Sequence, residues 1–310
     1  MTDRLISICI CTYRRPSVAD TIASLGEQRV PENCRLEIIV ADNDIAPSSR
    51  DTVESAGQKI PFPVRYVHAP KQNISIARNA CLTAADGDYV AFIDDDEVAT
   101  REWLLALYTD ANKRNLDIAF GPVRARYPDD APAWLVEADF HSTRADKASD
   151  LNTGYSGNSF FRVSHPAIKN RRFNLERGRT GGEDTQFFHE CYLAGARLGY
   201  VDAAEASEPV PQERLSMEWL VTTRYRSGIT YGKVVKYRGS LANTATQCAI
   251  SFAKCLVLLT KSAVPFRSKS SKRTDYIRAM FHLGCVNAAF AAREQEIYGT
   301  DRAATSSIEP

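Results

Sequence analysis

The chain has 310 residues, 44% of them hydrophobic and 25% charged, with a net charge of +1. That is an ordinary composition for a soluble globular protein, long enough for one large domain or a core domain with an appendage. The eight cysteines are scattered, with no CxxC pair and no histidine at ligand spacing, which excludes a zinc module or a disulfide framework and leaves reduced, mostly buried thiols in a cytoplasmic protein.

The even charge conceals a split. Residues 1–210 carry 24 Lys+Arg against 31 Asp+Glu, whereas residues 211–310 carry 15 against 7. A basic rear segment suits an anionic partner. Its charges alternate with apolar stretches such as Cys255-Leu256-Val257-Leu258-Leu259, so membrane headgroups fit better than nucleic acid, with a solvated helical tail as the plain alternative. The start Met1-Thr2-Asp3-Arg4 has no signal-peptide core, and no uncharged run reaches the ~20 residues needed to cross a bilayer. Residues 246–266 come nearest, but Lys254 and Lys261 interrupt them.

In chain order, Leu5 to Cys11, Glu37 to Ala41, Val64 to Val67, Tyr89 to Ile93 and Ile118 to Val123 have strand-like apolar runs. Between them Val18 to Gln28, Ser75 to Ala85 and Glu102 to Asn115 have helical spacing, with Ser75 as the predicted N-cap. Cys9 and Cys11 point to the same side of the first strand, which suits core packing. This alternation predicts a mostly parallel sheet covered by helices, whose ligands sit beyond the carboxyl ends of the strands. Past residue 125 the pattern loosens, resuming at Ser156 to Phe161 and at Gly181-Gly182-Glu183-Asp184; after Pro211 the chain reads as mostly helical, with a Ser/Lys/Arg-rich linker from Arg267 to Arg273. There is no internal repeat.

Three polar clusters fall on the same sheet edge: Thr12-Tyr13-Arg14-Arg15, Asp42-Asn43-Asp44 and Asp94-Asp95-Asp96-Glu97. Four consecutive acids repel one another, a cost most readily offset by a cation or a catalytic duty. Asp94 and Asp96 point to one side of an extended segment, where they can share a cation or divide metal and ribose between them. Their hard oxygens suit Mg2+ or Mn2+. An EF-hand lacks its glycine and its bidentate glutamate here, and an aspartyl phosphatase places its acids after the first strand. An acidic solvated turn is the bland alternative.

Glu183-Asp184 opens a second candidate site, because two glycines precede it and Phe187, Phe188, Cys191 and Tyr192 follow at helical spacing. The helix dipole helps keep a carboxylate ionised there, the form a general base needs, though acids at helix starts are also common as dipole partners. Arg78, followed by Asn79, has the planar fork that matches pyrophosphate oxygens, or forms a surface ion pair. Gly154, Gly157 and Asn158 form a turn where backbone and substrate can approach closely.

Taken together, Cys11 to Arg15, Val40 to Asp44, Ala77-Arg78-Asn79, Phe92 to Glu97 and Gly182-Glu183-Asp184 occur in the order and approximate spacing of family 2 glycosyltransferases. The resemblance spans roughly residues 4–240. It implies the GT-A nucleotide-diphospho-sugar transferase fold to residue 210, followed by a basic, mostly helical extension over 211–310. More closely, Arg29 to Glu32, Val40 to Asp44 with Pro47-Ser48, Asn73 to Asn79 and Ala91 to Glu97 resemble bacterial exopolysaccharide glucosyltransferases of the succinoglycan ExoM type.

That resemblance implies transfer of a single sugar, from UDP-glucose to a lipid-linked oligosaccharide, with inversion. Thr12, Tyr13 and Arg15 are then expected to line the nucleotide pocket, Asp42 to accept from the uracil edge, and Asp44 to shape that wall. Arg78 is expected to approach the diphosphate. Asp94 and Asp95 belong to the nucleotide-sugar side, Asp96 to the Mg2+ or Mn2+ ion, and Asp184 is the expected base. Gly157, Asn158 and Glu183 are placed on the acceptor or sugar side. Two departures stand out: no histidine occurs in Ser207 to Arg214, where many relatives carry one, which leaves Asp96 with possible help from Glu208; and the processive QxxRW signature is absent.

The expected location is cytoplasmic and peripheral on the inner face of the membrane, with apolar faces over Ala245 to Ala263 and Asp275 to Tyr298. From another class, a catalytically silent sugar-nucleotide or glycan-binding module could use the same scaffold. A nucleotidyltransferase is disfavoured because Cys11 to Pro16 lacks a glycine-rich loop.

Overall fold

The computed structural model describes residues 3–143, 151–237 and 240–290. Strands β1 (Arg4–Thr12), β2 (Cys34–Asp42), β3 (Val64–His68) and β4 (Tyr89–Ile93) lie parallel in the order β3-β2-β1-β4. The helices between them are α1 (Val18–Gly26), α2 (Arg50–Gly57) and α3 (Ile74–Ala84). β5 (Val98–Ala99), α4 (Trp103–Lys113), β6 (Ile118–Phe120), β7 (Val123–Arg126), α5 (Ala133–Ala138) and β8 (Asn158–Arg162) follow, then α6 (Glu183–Leu193), β9 (Leu198–Tyr200) and β10 (Ala206–Pro209). The main sheet continues through β8, antiparallel to both β4 and β6, and ends at β9; β5, β10 and β7 form a second small sheet.

The alternation along β1 explains why this sheet is buried on both faces. Ile6, Ile8 and Ile10 enter one core with Ile38, Val40, Tyr89, Ala91 and Trp103, whereas Cys9 and Cys11 enter the other with Ile39, Val90, Phe92 and Cys81. Helices on both sides cover these runs, so both side-chain sets are apolar.

Three sequence expectations are corrected. The strand expected from Ile118 to Val123 is two strands, because Gly121 and Pro122 intervene and proline has no N–H for the ladder. A Cβ on Gly121 would also lie 2.1 Å from the Ala204 carbonyl oxygen. The cap of α3 is Asn73, whose side chain accepts from the Ile76 N–H, while Ser75 is buried and donates to the Asn174 carbonyl. The segment read as a linker from Arg267 becomes helix from Lys269, capped by Ser268.

After β10 come α7 (Met217–Tyr231), a π-helical turn (Gly232–Lys236), α8 (Leu241–Ala263) and α9 (Lys269–Ala288). Residues 291–298 of the expected last helix lie outside the described residues. α7 and α9 cross at backbone contact: a Cβ on Gly228 would lie 2.0 Å from the Phe281 carbonyl oxygen, and one on Gly284 2.0 Å from that of Tyr225. Leu135 of α5 joins Val210, Leu215, Leu220 and Ile277 in a core that seats this pair on the sheet domain. α8 lies on α9 through Cys255, Ala279 and Met280 and leaves Phe252, Leu256 and Val257 about half exposed. It is long and apolar enough to cross a bilayer, with 11% of its apolar window buried.

Candidate active site

The loop after β1 is strained and tied to its neighbours. Arg14 has a left-handed φ of 54°, and its Nε donates to Asp44 Oδ2 at 2.9 Å, which holds the Asp44 carboxyl below its ordinary pKa. Gln72, also left-handed at 49°, donates to the Tyr13 hydroxyl at 2.9 Å. Strained residues cluster where a site over-determines its backbone. Thr12, at the end of β1, is buried beside Asp95.

Beyond β4, Arg15 Nη1 bonds Asp95 Oδ1 at 3.0 Å and also bonds Asp96 Oδ2. Glu97 folds back, its Oε2 accepting from the Asp94 N–H at 3.2 Å. Because β8 runs antiparallel to β4, pairing Ile93 with Asn158 brings Gly157 against the acids. A Cβ there would lie 2.7 Å from Glu97 Oε1 and 2.9 Å from Asp94 Oδ2, so this close approach requires glycine. Strand β10 carries Glu208 to the same edge, where Asp96, Asp94, Arg15 and Arg214 act on its charge.

Burial dominates the electrostatics of this group. It raises the pKa of Asp94 against the pull of Arg78, raises Asp95 to about 7 against Arg15, and raises Glu208 to about 7, with Asp96 adding to the rise. Glu97 is pushed well up by burial and then by Asp94. Desolvation and like charge thus penalise full ionisation, and added positive charge would relieve both.

Arg78 of α3 forms a buried ion pair with Glu183 in the first turn of α6 and lies 5.6 Å from the Phe173 ring centroid. Burial opposes the Arg78 charge, but Glu183, then Asp184 and Asp94, hold it firmly protonated. Glu183, Asp184 and Asp94 therefore act on one buried cation. Gly182, with φ 82°, precedes them, and a Cβ there would lie 2.1 Å from the Thr230 methyl. Asp184 Oδ1 accepts from the Thr185 N–H at 2.6 Å, and the residue is half-buried at the helix start.

The profile described as Glycosyl transferase family 2 matches residues 7–194. The succinoglycan biosynthesis protein ExoM of Rhizobium meliloti (strain 1021) is 40% identical over 295 residues, covering 95% of this chain and 96% of that protein. The chain belongs to glycosyltransferase family 2. Among solved structures, the mannosyltransferase PcManGT from Pyrobaculum calidifontis, in complex with GDP-Man and Mn2+, matches with a TM-score of 0.64 and 16% identity, covering 92% of this chain and 86% of that one. S. aureus TarS 1–349 in complex with UDP-GlcNAc matches at TM-score 0.52 and 17% identity, covering 92% and 90%. These likenesses give this glycosyltransferase the GT-A fold.

The expected site residues do not all face the cleft. Asp42 is fully buried: Oδ1 accepts from the Asp44 N–H at 3.0 Å, and Oδ2 from the Ser49 N–H at 2.9 Å and the Tyr66 hydroxyl at 2.8 Å. It therefore organises the wall from behind instead of meeting a base edge. Arg78 and Glu183, both expected at the site, are joined to each other by a buried ion pair. Asn158 is fully buried: its Oδ1 accepts from Trp103 Nε1 at 2.8 Å, and its Nδ2 donates to the Pro122 and Ala204 carbonyls. It fastens β8 to both sheets and does not reach the acceptor side. Tyr192, expected on the buried face of α6, is 40% exposed.

Glu97 is the site residue that sequence reading left without a role. Its signal was its place three residues after Asp94, the spacing of a turn that folds back on its own N–H. Among the described residues no three His, Cys, Asp or Glu side chains converge as a metal cage. Asp96, whose charge acts on Asp94 and Glu208, offers the hard carboxylate oxygens that Mg2+ and Mn2+ take.

Proposed function

We propose that this glycosyltransferase transfers one sugar, with inversion, from a UDP-sugar, expected to be UDP-glucose, to a lipid-linked oligosaccharide during exopolysaccharide assembly. One observation carries the reading: Asp94 and Asp184 both act on the same buried cation, Arg78, at the carboxyl edge of the sheet. The likeness to a succinoglycan biosynthesis protein supports the polymer class, and the nucleotide sugars and Mn2+ in the fold neighbours support donor and cofactor.

In this reading Thr12, Tyr13 and Arg15 line the nucleotide side, with Asp42 and Asp44 holding the wall. Asp184 takes the proton of the acceptor hydroxyl as its oxygen bonds the anomeric carbon and the bond to the departing diphosphate breaks on the opposite face. Mg2+ or Mn2+, held by Asp96 with Asp94 and Glu208 near, would supply positive charge against the leaving UDP. Arg78 acts on Asp94 and Asp184 together and approaches the diphosphate.

The helical region over 211–310 is proposed to hold the enzyme on the inner leaflet. Trp219 through Thr274 contains 11 Lys+Arg and no Asp or Glu, and α8 presents its apolar face inside that segment. Lying in the interface keeps α8 packed on α9, whereas spanning would strip that contact away.

UDP release from UDP-glucose tests the chemistry. Asp184→Asn should lower turnover by ~10²–10⁴, the usual worth of a general base, while UDP still raises its melting temperature. Parent-level turnover in that variant would remove Asp184 from the mechanism. Thermal stabilisation of the parent by UDP without any turnover would favour the silent binding module.

A further inference from the structure

A second concave site lies beside α6, on the side that the helical region closes. It is a cavity of about 270 Å3 lined by Asn174, Glu176, Arg177, Thr180, Gln186 and Lys233, with Val234 as its apolar contribution. That volume is below the ~300–1,000 Å3 of drug-sized sites and suits one sugar ring.

Its walls are fixed. Gly178 packs so tightly that a Cβ would lie 1.8 Å from Asn73 Oδ1, which pins the 174–180 loop to α3. Asn174 Nδ2 donates to Gln186 Oε1 at 3.3 Å, and Gln186 Nε2 to Glu190 Oε1 at 2.8 Å, so both amide orientations are set while each retains a second N–H. Lys233 and Val234 come from the π-helical turn after α7, a deformation frequent at functional sites.

The lining also selects a ligand class. Two amides, a hydroxyl, a carboxylate and two cations supply donors and acceptors in mixture, as sugar hydroxyls demand, and Glu176 disfavours a bare diphosphate. Gln186 stands two residues after Asp184 on α6, on another side of the helix, and Thr180 four residues before it, so the cavity lies along the flank of the helix that carries the proposed base. In the other direction the same turn reaches α8, where Lys236 Nζ donates to Ser251 Oγ at 2.7 Å.

We propose that this cavity is an acceptor subsite holding the sugar next to the one that receives the new residue. The proposal rests on the reading of Asp184 as the base, and it gives the helical region a direct part in acceptor choice: Lys233 reads the saccharide while α8 lies toward the lipid.

Saturation-transfer NMR on the full chain tests it, with methyl glycosides of glucose, galactose and mannose, and cellobiose, as probes. At least one probe should receive saturation from the parent protein. Lys233→Ala should weaken that binding at least tenfold. Thr180→Trp, which fills the cavity instead of trimming it, should abolish it, and both variants should keep the parent's thermal stabilisation by UDP. No saturation of any probe, or signals that neither variant changes, would overturn the subsite and leave the donor reading intact. Cavity-dependent sugar binding without any effect of UDP on the parent would support the subsite and remove the donor reading instead.

Discussion

Arg78 and Glu183, 105 residues apart in sequence, form a buried ion pair that fastens α3 to the first turn of α6. The same guanidinium acts on Asp94 after β4 and on Asp184. Removing one member of such a pair leaves a buried charge uncompensated, which costs ~3–5 kcal/mol. Arg78→Ala should lose about that much in urea unfolding, and Glu183→Gln somewhat less, because Asp184 and Asp94 still partner the arginine. The double variant Arg78→Ala with Glu183→Gln should lose less than the sum of the two single losses. Additive losses in the cycle would show that the two side chains are not coupled.

Gly157 separates activity from stability. An added methyl would meet the ends of two side chains, Glu97 and Asp94, and not a backbone, so the fold can yield by displacing the carboxylates. Gly157→Ala should cost about 1 kcal/mol, the low end of overpacking. Turnover should nevertheless fall at least tenfold, because those carboxylates define the donor edge. Unchanged turnover would mean that the position of Asp94 is not critical.

The contrast between Gly157 and Asn158 shows how much of the site was legible in sequence. The parallel strands could be read because both faces are covered and their apolar runs are nearly continuous, and Asp94 through Glu97 because acids following such a run are costly without a purpose. Asn158 could not be read. Its partners Trp103, Pro122 and Ala204 lie 36 to 55 residues away, so no local pattern separates a structural amide from a substrate contact. Arg78 was ambiguous for a similar reason, since a fork that matches a diphosphate matches a carboxylate equally well. The split of β6 from β7 was signalled by Gly121-Pro122, yet only the second sheet explains where β7 goes.

His141 gives the fold a pH dependence away from the cleft. Its ring stacks on Trp219 at 5.3 Å and meets the Arg214 carbonyl and the Tyr127 hydroxyl. Burial, aided by the charges of Arg214 and Arg224, lowers its pKa below the ordinary value of about 6.5, against the bond to the Arg214 carbonyl and the Asp139 charge. The unfolded chain then binds more protons than the folded one between the two pKa values, so stability rises with pH through that window and falls as pH drops below about 6.5. Because the raised carboxylates at the cleft act in the opposite sense over this range, the His141 contribution is read by difference: in urea unfolding from pH 7.5 to 5 the parent should lose stability relative to His141→Gln. An identical slope in the variant would assign the dependence to other groups.

The outer face of α8 yields the last prediction. Phe252, Leu256 and Val257 are 53%, 48% and 53% exposed, so replacing them with serine removes few internal contacts. Full burial of such a side chain is worth ~1.5–3 kcal/mol, so inserting the exposed halves of three into an interface contributes about 3 kcal/mol, roughly a hundredfold in partitioning. The basic residues around the helix add attraction to anionic lipid that salt screens. The parent should float with vesicles containing phosphatidylglycerol, less so in high salt. The triple serine variant should stay in the soluble fraction while releasing UDP in detergent at the parent rate. Equal flotation of the two proteins would mean that α8 does not meet the bilayer, and its exposed side chains would then call for a protein partner instead.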